Sequence, residues 1–187
     1  METLQNIEIL TDYLSAHKSE IAQKADEFAD AVVRIYQNGG KLISAGNGGS
    51  AADAQHIAAE LIGRFLKERP SLSAICLNCN VSILTSLGND YGYNTIFSRQ
   101  IEGLCSKKDI VFLYSTSGNS KNILTAAESA KKIGAQTVSF TGCEGGILKQ
   151  ITDFNFNAHI HSTPRTQELH ALMNHLICER IENILFN

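Results

Sequence analysis

The sequence predicts an α/β fold: a three-layer sandwich with a mostly parallel sheet, preceded by an N-terminal helical arm. Short apolar runs alternate with amphipathic helical stretches, which is typical of parallel sheets covered by helices on both faces. With 187 residues, of which 43% are hydrophobic, the chain can bury a sizeable core. We therefore expect one domain over residues 1–187. The predicted strands are residues 41–45, 72–77, 109–114, 136–140 and 154–156.

Two helices are expected before the first strand. Apolar side chains recur at helical spacing in residues 4–14 and 21–36, and Asn38-Gly39-Gly40 ends the second stripe. This helical segment, residues 1–38, either packs on another copy of the chain or covers the sheet of its own chain. Later helices are expected at residues 50–66, 81–87, 94–104, 121–133 and 166–185.

Composition argues against several classes of partner. The net charge of −3 comes without a long basic run, so a nucleic-acid ligand is not expected. No apolar run approaches the length of a membrane span and no leader segment is visible, so we expect a cytoplasmic protein without membrane contact. Five scattered cysteines fit a reducing compartment. Cys76 and Cys79 form a C-x-x-C without a second pair, which indicates ordinary thiols.

The chain is organised around a glycine turn between the first strand and the next helix. Residues 46–49 form the turn, Ser50 lies near the expected N-cap, and Asp53 falls in the first helical turn. Free backbone N–H groups and the positive end of the helix dipole make such a turn an anion site. His56 and Glu60 follow on one face of the same helix at i, i+4 spacing, which suits metal binding or proton transfer.

A second polar turn, residues 115–120, follows the strand at 109–114. Its sequence Ser-Thr-Ser-Gly-Asn-Ser carries four hydroxyl groups, whereas capping a helix needs one. A phosphate would use the hydroxyls of Ser115, Thr116, Ser117 and Ser120 without needing Arg or Lys. Because the carboxyl ends of parallel strands meet at one edge of the sheet, we expect both turns to face one ligand.

The last long helix carries a third candidate group. Gln167 and His175 share one face at i, i+8 spacing, so they are candidate partners for His56 and Glu60. A single helical histidine is more often a packed residue than a ligand. The segment 159–161, His-Ile-His, is a rival metal pair, because strand alternation would place both rings on one face. No carboxylate accompanies that pair.

These segments resemble those of the phosphoheptose isomerases, members of the sugar-isomerase (SIS) domain superfamily, in order and spacing over nearly the whole chain. The segments are residues 46–61, 88–92, 97–100, 115–120 and 165–175. The resemblance implies the SIS fold, which is flavodoxin-like or Rossmann-like, and a homotetramer with sites built across subunits. It also implies conversion of sedoheptulose 7-phosphate to D-glycero-D-manno-heptose 7-phosphate, the first step of bacterial heptose synthesis for lipopolysaccharide or other glycans.

By position, the resemblance implies roles for individual residues. The implied zinc ligands are His56, Glu60, Gln167 and His175. The implied substrate-binding residues are Asn47, Gly48, Gly49, Ser50, Glu60, Asn89, Asp90, Ser115, Thr116, Ser117, Ser120 and Gln167. Two positions depart from the family's usual form: Thr166 stands where Ile is common, and Asn80 stands where an acidic residue is frequent. The second departure bears on the contacts to the sugar.

The implied reaction requires acidic and basic side chains of the kind found at these positions. Aldose–ketose isomerisation moves a proton between C1 and C2 through an enediol, and it needs a base at carbon and an acid at oxygen. We predict Glu60 as the base at one carbon and His175 as the complementary acid or base. Zinc would polarise the carbonyl and hold the hydroxyls. Since a metal ligand is not free to carry protons, the ion either shifts during turnover or mainly positions the substrate.

Two alternative functions stay open. A non-catalytic SIS-domain protein that binds a replication initiator would keep the fold and the tetramer. The resemblance implies that such relatives lose the acidic residue at the position of Glu60 and the histidine at that of His175, and both are present here. Another SIS enzyme or regulator acting on a hexose phosphate would explain the phosphate turn, but not the four-residue metal set.

Overall fold

A five-stranded parallel sheet lies at the centre of the computed structural model, which describes residues 2–186. The strands are β1 Leu42–Gly46, β2 Ala74–Cys76, β3 Ile110–Ser115, β4 Gln136–Gly142 and β5 Phe154–Ala158. Their spatial order is β2-β1-β3-β4-β5, and each neighbouring pair is parallel. The predicted fold class is confirmed. The predicted helical arm began at residue 1, which lies outside the described residues.

Helices cover both faces of the sheet. They are α1 Glu2–Gln37, α2 Gly49–Ile62, α3 Val81–Tyr91, α4 Ser98–Leu104, α5 Lys121–Ile133, α6 Leu148–Ile151 and α7 Thr163–Leu185, with a 3-10 turn at Tyr93–Thr95. Strand side chains alternate, so Leu42 and Phe112 join a core with α1, α2 and α7. Ile43 and Val111 join a second core with α4, α5 and α6, against which α3 also packs. These two cores make the three layers.

The N-terminal segment is one helix, where two were predicted. The polar stretch between the apolar stripes, residues 15–20, lies mostly on the exposed side of α1 and does not interrupt it. No glycine or proline occurs within residues 2–37 to break the helix. The chain leaves the helix at Asn38 and Gly39, and Gly39 has a φ of +73°, a conformation that favours glycine.

Several other boundaries differ from the prediction. α2 begins at Gly49, so Ser50 lies in the first turn instead of at the N-cap, and Asp53 lies just past that turn. α2 also ends at Ile62, four residues early. The predicted helix at residues 94–104 is split into the 3-10 turn and α4, and α6 was not predicted. Within residues 2–186, the helices lack the combination of length and apolarity that a membrane span requires.

Candidate functional site

The glycine turn brings backbone close to α7. Gly48 is the N-cap of α2 and has a φ of +55°. A Cβ at Gly46 would lie 2.1 Å from the backbone oxygen of Ser50, and one at Gly49 would lie 2.5 Å from the amide nitrogen of Gln167. The backbone contact therefore requires glycine at position 46, whereas at position 49 a larger residue would displace the Gln167 amide. The N–H groups of the turn lie at the start of a 14-residue helix, where anions are favoured.

The hydroxyl-rich turn follows β3. The Ser115 hydroxyl donates to the Ser120 hydroxyl at 3.1 Å, while the backbone N–H of Asn119 donates to Ser117 Oγ at 3.2 Å. Ser120 occupies the N-cap of α5, but its side chain makes no capping hydrogen bond to the described chain. The simple capping interpretation therefore does not account for this hydroxyl, which stays available to a ligand. Gly118, at φ +63°, packs against the backbone of Gly145.

The two turns face each other across a cavity of about 310 Å³. Its lining residues are Asn47, Gly48, Gly49, Ser50, Tyr114, Ser115, Thr116, Ser120, Thr163 and Gln167. A cavity of this size is at the lower end of small-ligand sites, about 300–1,000 Å³. The sequence analysis missed Tyr114 and Thr163. Tyr114 lies one residue before the predicted turn, and this position was the only feature of the local sequence that could have identified it as a cavity residue.

The side chain of Asn47 is held by two residues that the sequence analysis did not single out. Asn47 and the buried Asn122 exchange amide hydrogen bonds of 2.8 and 2.9 Å. The Tyr93 hydroxyl donates to the Asn47 Oδ1 at 3.0 Å. Since Asn122 lies at the start of α5, this pair joins the glycine turn to the helix that follows the hydroxyl-rich turn.

Four predicted binding residues lie outside this cavity as it is lined by the described chain: Glu60, which belongs to the cluster described below, and three more. Ser117 is one, and its hydroxyl accepts the hydrogen bond from Asn119. Asn89 and Asp90 are the others; both are exposed near the end of α3, where the Asn89 amide donates to the Asp90 carboxylate at 2.8 Å. Asn80, where an acidic residue was expected, caps α3 by accepting the N–H of Ile83 at 3.1 Å. A carboxylate would serve that purpose equally well.

His56, Glu60 and His175 converge where α2 packs on α7. His56 Nε2 lies 3.0 Å from Glu60 Oε1 and 3.2 Å from His175 Nε2, and one ligand atom from each residue lies within 4.8 Å of the others. Two ligands at 2.0–2.1 Å from a tetrahedral zinc ion are about 3.3 Å apart, close to the spacing of the two nitrogens. Two imidazoles and a carboxylate form a donor set that suits zinc. The residues present therefore fit a divalent metal.

Gln167, the fourth predicted ligand, lies two helical turns before His175 on α7. Its amide lies against Gly49 and lines the cavity. It thus connects the cavity with the helix that bears His175. The rival histidine pair is not on a strand, because β5 ends at Ala158. The His159 ring contacts the Asn157 amide, and His161 lies 3.7 Å from Glu144.

The groups around the cluster fix its position. The Phe65 ring lies 5.5 Å from the His175 ring, and the Arg69 guanidinium donates to the Glu60 carbonyl oxygen at 2.7 Å. Asp53, buried one turn before His56, was not predicted as a site residue. Burial raises its pKa to about 6, against the opposing effect of nearby His56. The Asp53 Oδ2 atom has no hydrogen-bond partner in the part of the chain that the structure describes.

Comparison with known proteins gives relatives over nearly the full chain. A profile of the SIS domain family matches residues 6–142. The phosphoheptose isomerase of Aquifex aeolicus is 47% identical over 164 residues, covering 88% of this chain and 86% of that protein. The phosphoheptose isomerase of Helicobacter hepaticus is 45% identical and covers 98% of this chain and 94% of that protein.

Solved structures agree with these sequence matches. The phosphoheptose isomerase GmhA from Neisseria gonorrhoeae superposes with a TM-score of 0.91 at 32% identity, covering 97% of each chain. A phosphoheptose isomerase from Francisella tularensis gives a TM-score of 0.88 at 34% identity, over 98% of this chain and 100% of that one.

Proposed function

Because the chain belongs to the phosphoheptose isomerases of the SIS domain family, we propose that it converts sedoheptulose 7-phosphate to D-glycero-D-manno-heptose 7-phosphate. The protein is a sugar-phosphate isomerase. The identity of the sugar, and the supply of heptose for lipopolysaccharide or another glycan, belong to the proposal.

One observation carries the proposal: the two helices that carry the His–Glu cluster also contribute residues to the lining of the cavity. α2 begins at the cavity with Gly49 and carries His56 and Glu60, while α7 carries cavity-lining Gln167 before His175. With a rise of 1.5 Å per residue, His56 lies about 10 Å along α2 from Gly49. An extended seven-carbon sugar phosphate spans a comparable length. Such a substrate would place its phosphate at the polar turns and its carbonyl end near the cluster.

The residues of the cluster have complementary tasks in the proposed reaction. The Glu60 carboxylate would accept the proton from one of the two reacting carbons, and His175 would exchange the proton at the oxygen or the other carbon. His56 lies in contact with both side chains, so it would hold their relative positions. His56, Glu60, Gln167 and His175 would hold a divalent ion that positions the substrate and polarises its carbonyl, and Glu60 and His175 would carry protons only while they are not bound to it.

The phosphate would be bound without a positively charged side chain. The hydroxyls of Ser115, Thr116 and Ser120 line the cavity, and the N-terminus of α5 supplies the positive end of a helix dipole. The Asn47 amide, fixed by Asn122, lies on the opposite side to contact the sugar hydroxyls. These donors account for a phosphorylated and hydroxylated substrate in a cavity with no lysine or arginine in its lining, as far as residues 2–186 are concerned.

We also propose that the protein is a homotetramer with sites completed across subunits. A groove of about 540 Å³ runs between α1 and α7, with Leu14, Ile21 and Leu176 in its lining, and a second copy is the proposed occupant. Asn89 and Asp90, which do not line the described cavity of their own chain, would act at a neighbouring site. Light scattering on the native protein tests this assembly, since a monomer at assay concentration would contradict it.

The substrate proposal is tested by NMR of the purified protein with sedoheptulose 7-phosphate, with and without a chelator and added zinc. We expect signals of a heptose 7-phosphate to appear, with faster conversion in the presence of zinc. Fructose 6-phosphate serves as the matched six-carbon ketose. Turnover of the six-carbon sugar at an equal or greater rate would contradict the seven-carbon assignment.

A further inference from the structure

The start of the glycine turn is fixed by Asn78, a residue that follows β2. The Asn78 amide donates to the Gly46 carbonyl oxygen at 2.8 Å and accepts the Gly46 N–H at 3.2 Å. Gly46 is followed directly by Asn47, Gly48 and Gly49, which line the cavity. The Asn78 side chain therefore holds the segment from which the proposed sugar-binding backbone departs.

Two cysteines flank Asn78 in the same tight turn. The backbone N–H of Cys79 donates to the carbonyl oxygen of Cys76 at 3.4 Å, which closes a four-residue turn. The end residues of such a turn have Cα atoms within about 7 Å, and a disulfide needs about 4.4–6.8 Å. The Cys79 thiol is near enough to contribute to the raised pKa of Cys76. Both thiols are free, with Cys79 exposed and Cys76 half-buried.

The Cys76 thiol is itself part of the Asn78 arrangement. It donates to Asn78 Oδ1 across 3.6 Å, the same oxygen that accepts the Gly46 N–H. A sulfur engaged in a disulfide has no hydrogen to donate and must point towards its partner. Oxidation would thus remove one contact of Asn78 and turn the neighbouring side chain away.

We propose that Cys76 and Cys79 form a reversible disulfide by exchange with a low-molecular-weight disulfide, and that this bond weakens the hold of Asn78 on Gly46. Its effect on turnover rests on the proposed function of the cavity. The reduced protein is the active form. The cysteine pair is then a modification site that couples the redox state of the surroundings to the glycine turn.

The exchange is balanced in two steps. The exposed Cys79, as thiolate, attacks one sulfur of the small disulfide, which forms a mixed disulfide and releases the first small thiolate. Cys76 then loses its proton and attacks the Cys79 sulfur, which forms the Cys76–Cys79 bond and releases the second thiolate. The two protein thiols lose two electrons and two protons in total, and the small disulfide becomes two thiols.

The order of the steps follows from the surroundings of the two sulfurs. Burial raises the pKa of the Cys76 thiol to about 11, and the neighbouring Cys79 adds to that shift. Cys76 is therefore a poor first nucleophile, whereas Cys79 is exposed to solvent. Once Cys79 carries a mixed disulfide it has no charge, so its contribution to the raised pKa of Cys76 disappears.

The experiment equilibrates the full protein with mixtures of oxidised and reduced glutathione and maps disulfides by peptide mass. We expect the peptide that contains Cys76 and Cys79 to be lighter by two hydrogens, as a disulfide between them requires, and reduction should restore its mass. Amide hydrogen exchange of the peptide that contains residues 44–50 should be faster in the oxidised protein. The kcat/KM for sedoheptulose 7-phosphate should fall roughly three- to tenfold, the size expected for one lost hydrogen bond.

Two variants make the test specific. C79S should keep basal turnover and lose its sensitivity to oxidised glutathione. C105S is the control at a thiol outside the pair. Cys105, like Cys76, is half-buried with a pKa raised to about 11 by burial, and its removal should leave the sensitivity intact. The proposal is overturned if no bond between Cys76 and Cys79 forms, or if the bond leaves hydrogen exchange at residues 44–50 unchanged. Both readouts are independent of substrate, so a failure of the heptose assay alone would count against the proposed function only.

Discussion

Glu182 on α7 stabilises the loop that follows α2, and replacing it by glutamine tests this directly. Its carboxylate accepts the backbone N–H groups of Phe65, Leu66 and Lys67 at 2.8–2.9 Å and the Arg69 guanidinium at 2.7 Å. Both side chains of the ion pair are almost fully buried, with exposed fractions of 1% for Arg69 and 2% for Glu182. An amide has one acceptor oxygen and no charge, so E182Q leaves Arg69 and some of the N–H groups without an adequate acceptor.

Two independent estimates give the decrease in the free energy of unfolding that we expect for E182Q. Burial would raise the pKa of Glu182, but the three backbone N–H groups and Arg69 outweigh it and lower the pKa from 4.5 to about 2. At about 1.4 kcal/mol per pKa unit, this difference corresponds to about 3 kcal/mol. Breaking a buried ion pair by removing one partner costs roughly 3–5 kcal/mol in other proteins. We therefore expect E182Q to lower the free energy of unfolding by about 3 kcal/mol.

The assay is urea unfolding of both proteins at one protomer concentration over a range of pH. A depressed folded-state pKa contributes stability above the unfolded-state pKa, so the full difference should be present at pH 6. It should shrink as the pH falls from about 5 towards about 2, where the wild-type carboxylate gains its proton. E27Q is the control, since Glu27 forms a partly exposed pair with Lys24 and should change stability by less than about 1 kcal/mol. A loss below about 1 kcal/mol in E182Q, or one independent of pH, would refute this reasoning.

Three further predictions concern the cavity and the cluster. S120A should raise the KM for the sugar phosphate about fivefold or more in steady-state assays, because it removes a cavity hydroxyl, whereas S117A should have the smaller effect; equal effects would contradict the assigned phosphate contacts. H56A should lower bound zinc per protomer from about one to near zero by metal analysis after dialysis, because it removes one of the two imidazole ligands; unchanged zinc content would remove the metal assignment. N122A should raise KM several-fold while N122D, which keeps one acceptor for the Asn47 amide, should recover part of the loss; a fall in stability with unchanged KM would show that Asn122 only supports the fold.

Local sequence patterns were sufficient to predict a helix or strand where its own residues determine where it begins and ends. The helix predicted at residues 121–133 matches α5, because its apolar stripe spans these residues and Gly134, in the left-handed conformation at φ +89°, ends it. The strands were also found close to their observed positions, since buried parallel strands are continuous apolar runs. The five predicted strands correspond in order to the five in the sheet.

Where distant residues decide, the sequence pattern was not enough. The apolar pattern of α2 continues to residue 66, but the helix ends at Ile62 with Gly63 as its C-cap. Glu182, more than 110 residues away, binds the N–H groups of the loop that follows. α6 has only four residues, too few to show a helical period. α1 is a single helix although its apolar side chains form two separate stripes, because polar residues on an exposed helix face do not interrupt a helix.

The candidate site divides along the same line. The pair His56 and Glu60 is local, so its spacing identified it. His175 lies 119 positions from His56, so its spacing on the last helix made it only a candidate partner, and the resemblance then specified it. The structure brings these three side chains together, while their catalytic and metal-binding roles stay predictions. The Asn47–Asn122 pair spans 75 positions and has no signature in the sequence.

In the proposed reaction, Glu60 and His175 move the proton between C1 and C2. The most direct test follows sedoheptulose 7-phosphate by NMR in D2O with the wild-type protein and with the folded variants E60Q and H175N. We expect the wild type to form a heptose 7-phosphate with deuterium at C2, and each variant to be at least about 100-fold slower, the usual contribution of a general acid or base. Near-full turnover in either variant, with its assembly and fold unchanged, would contradict the assignment.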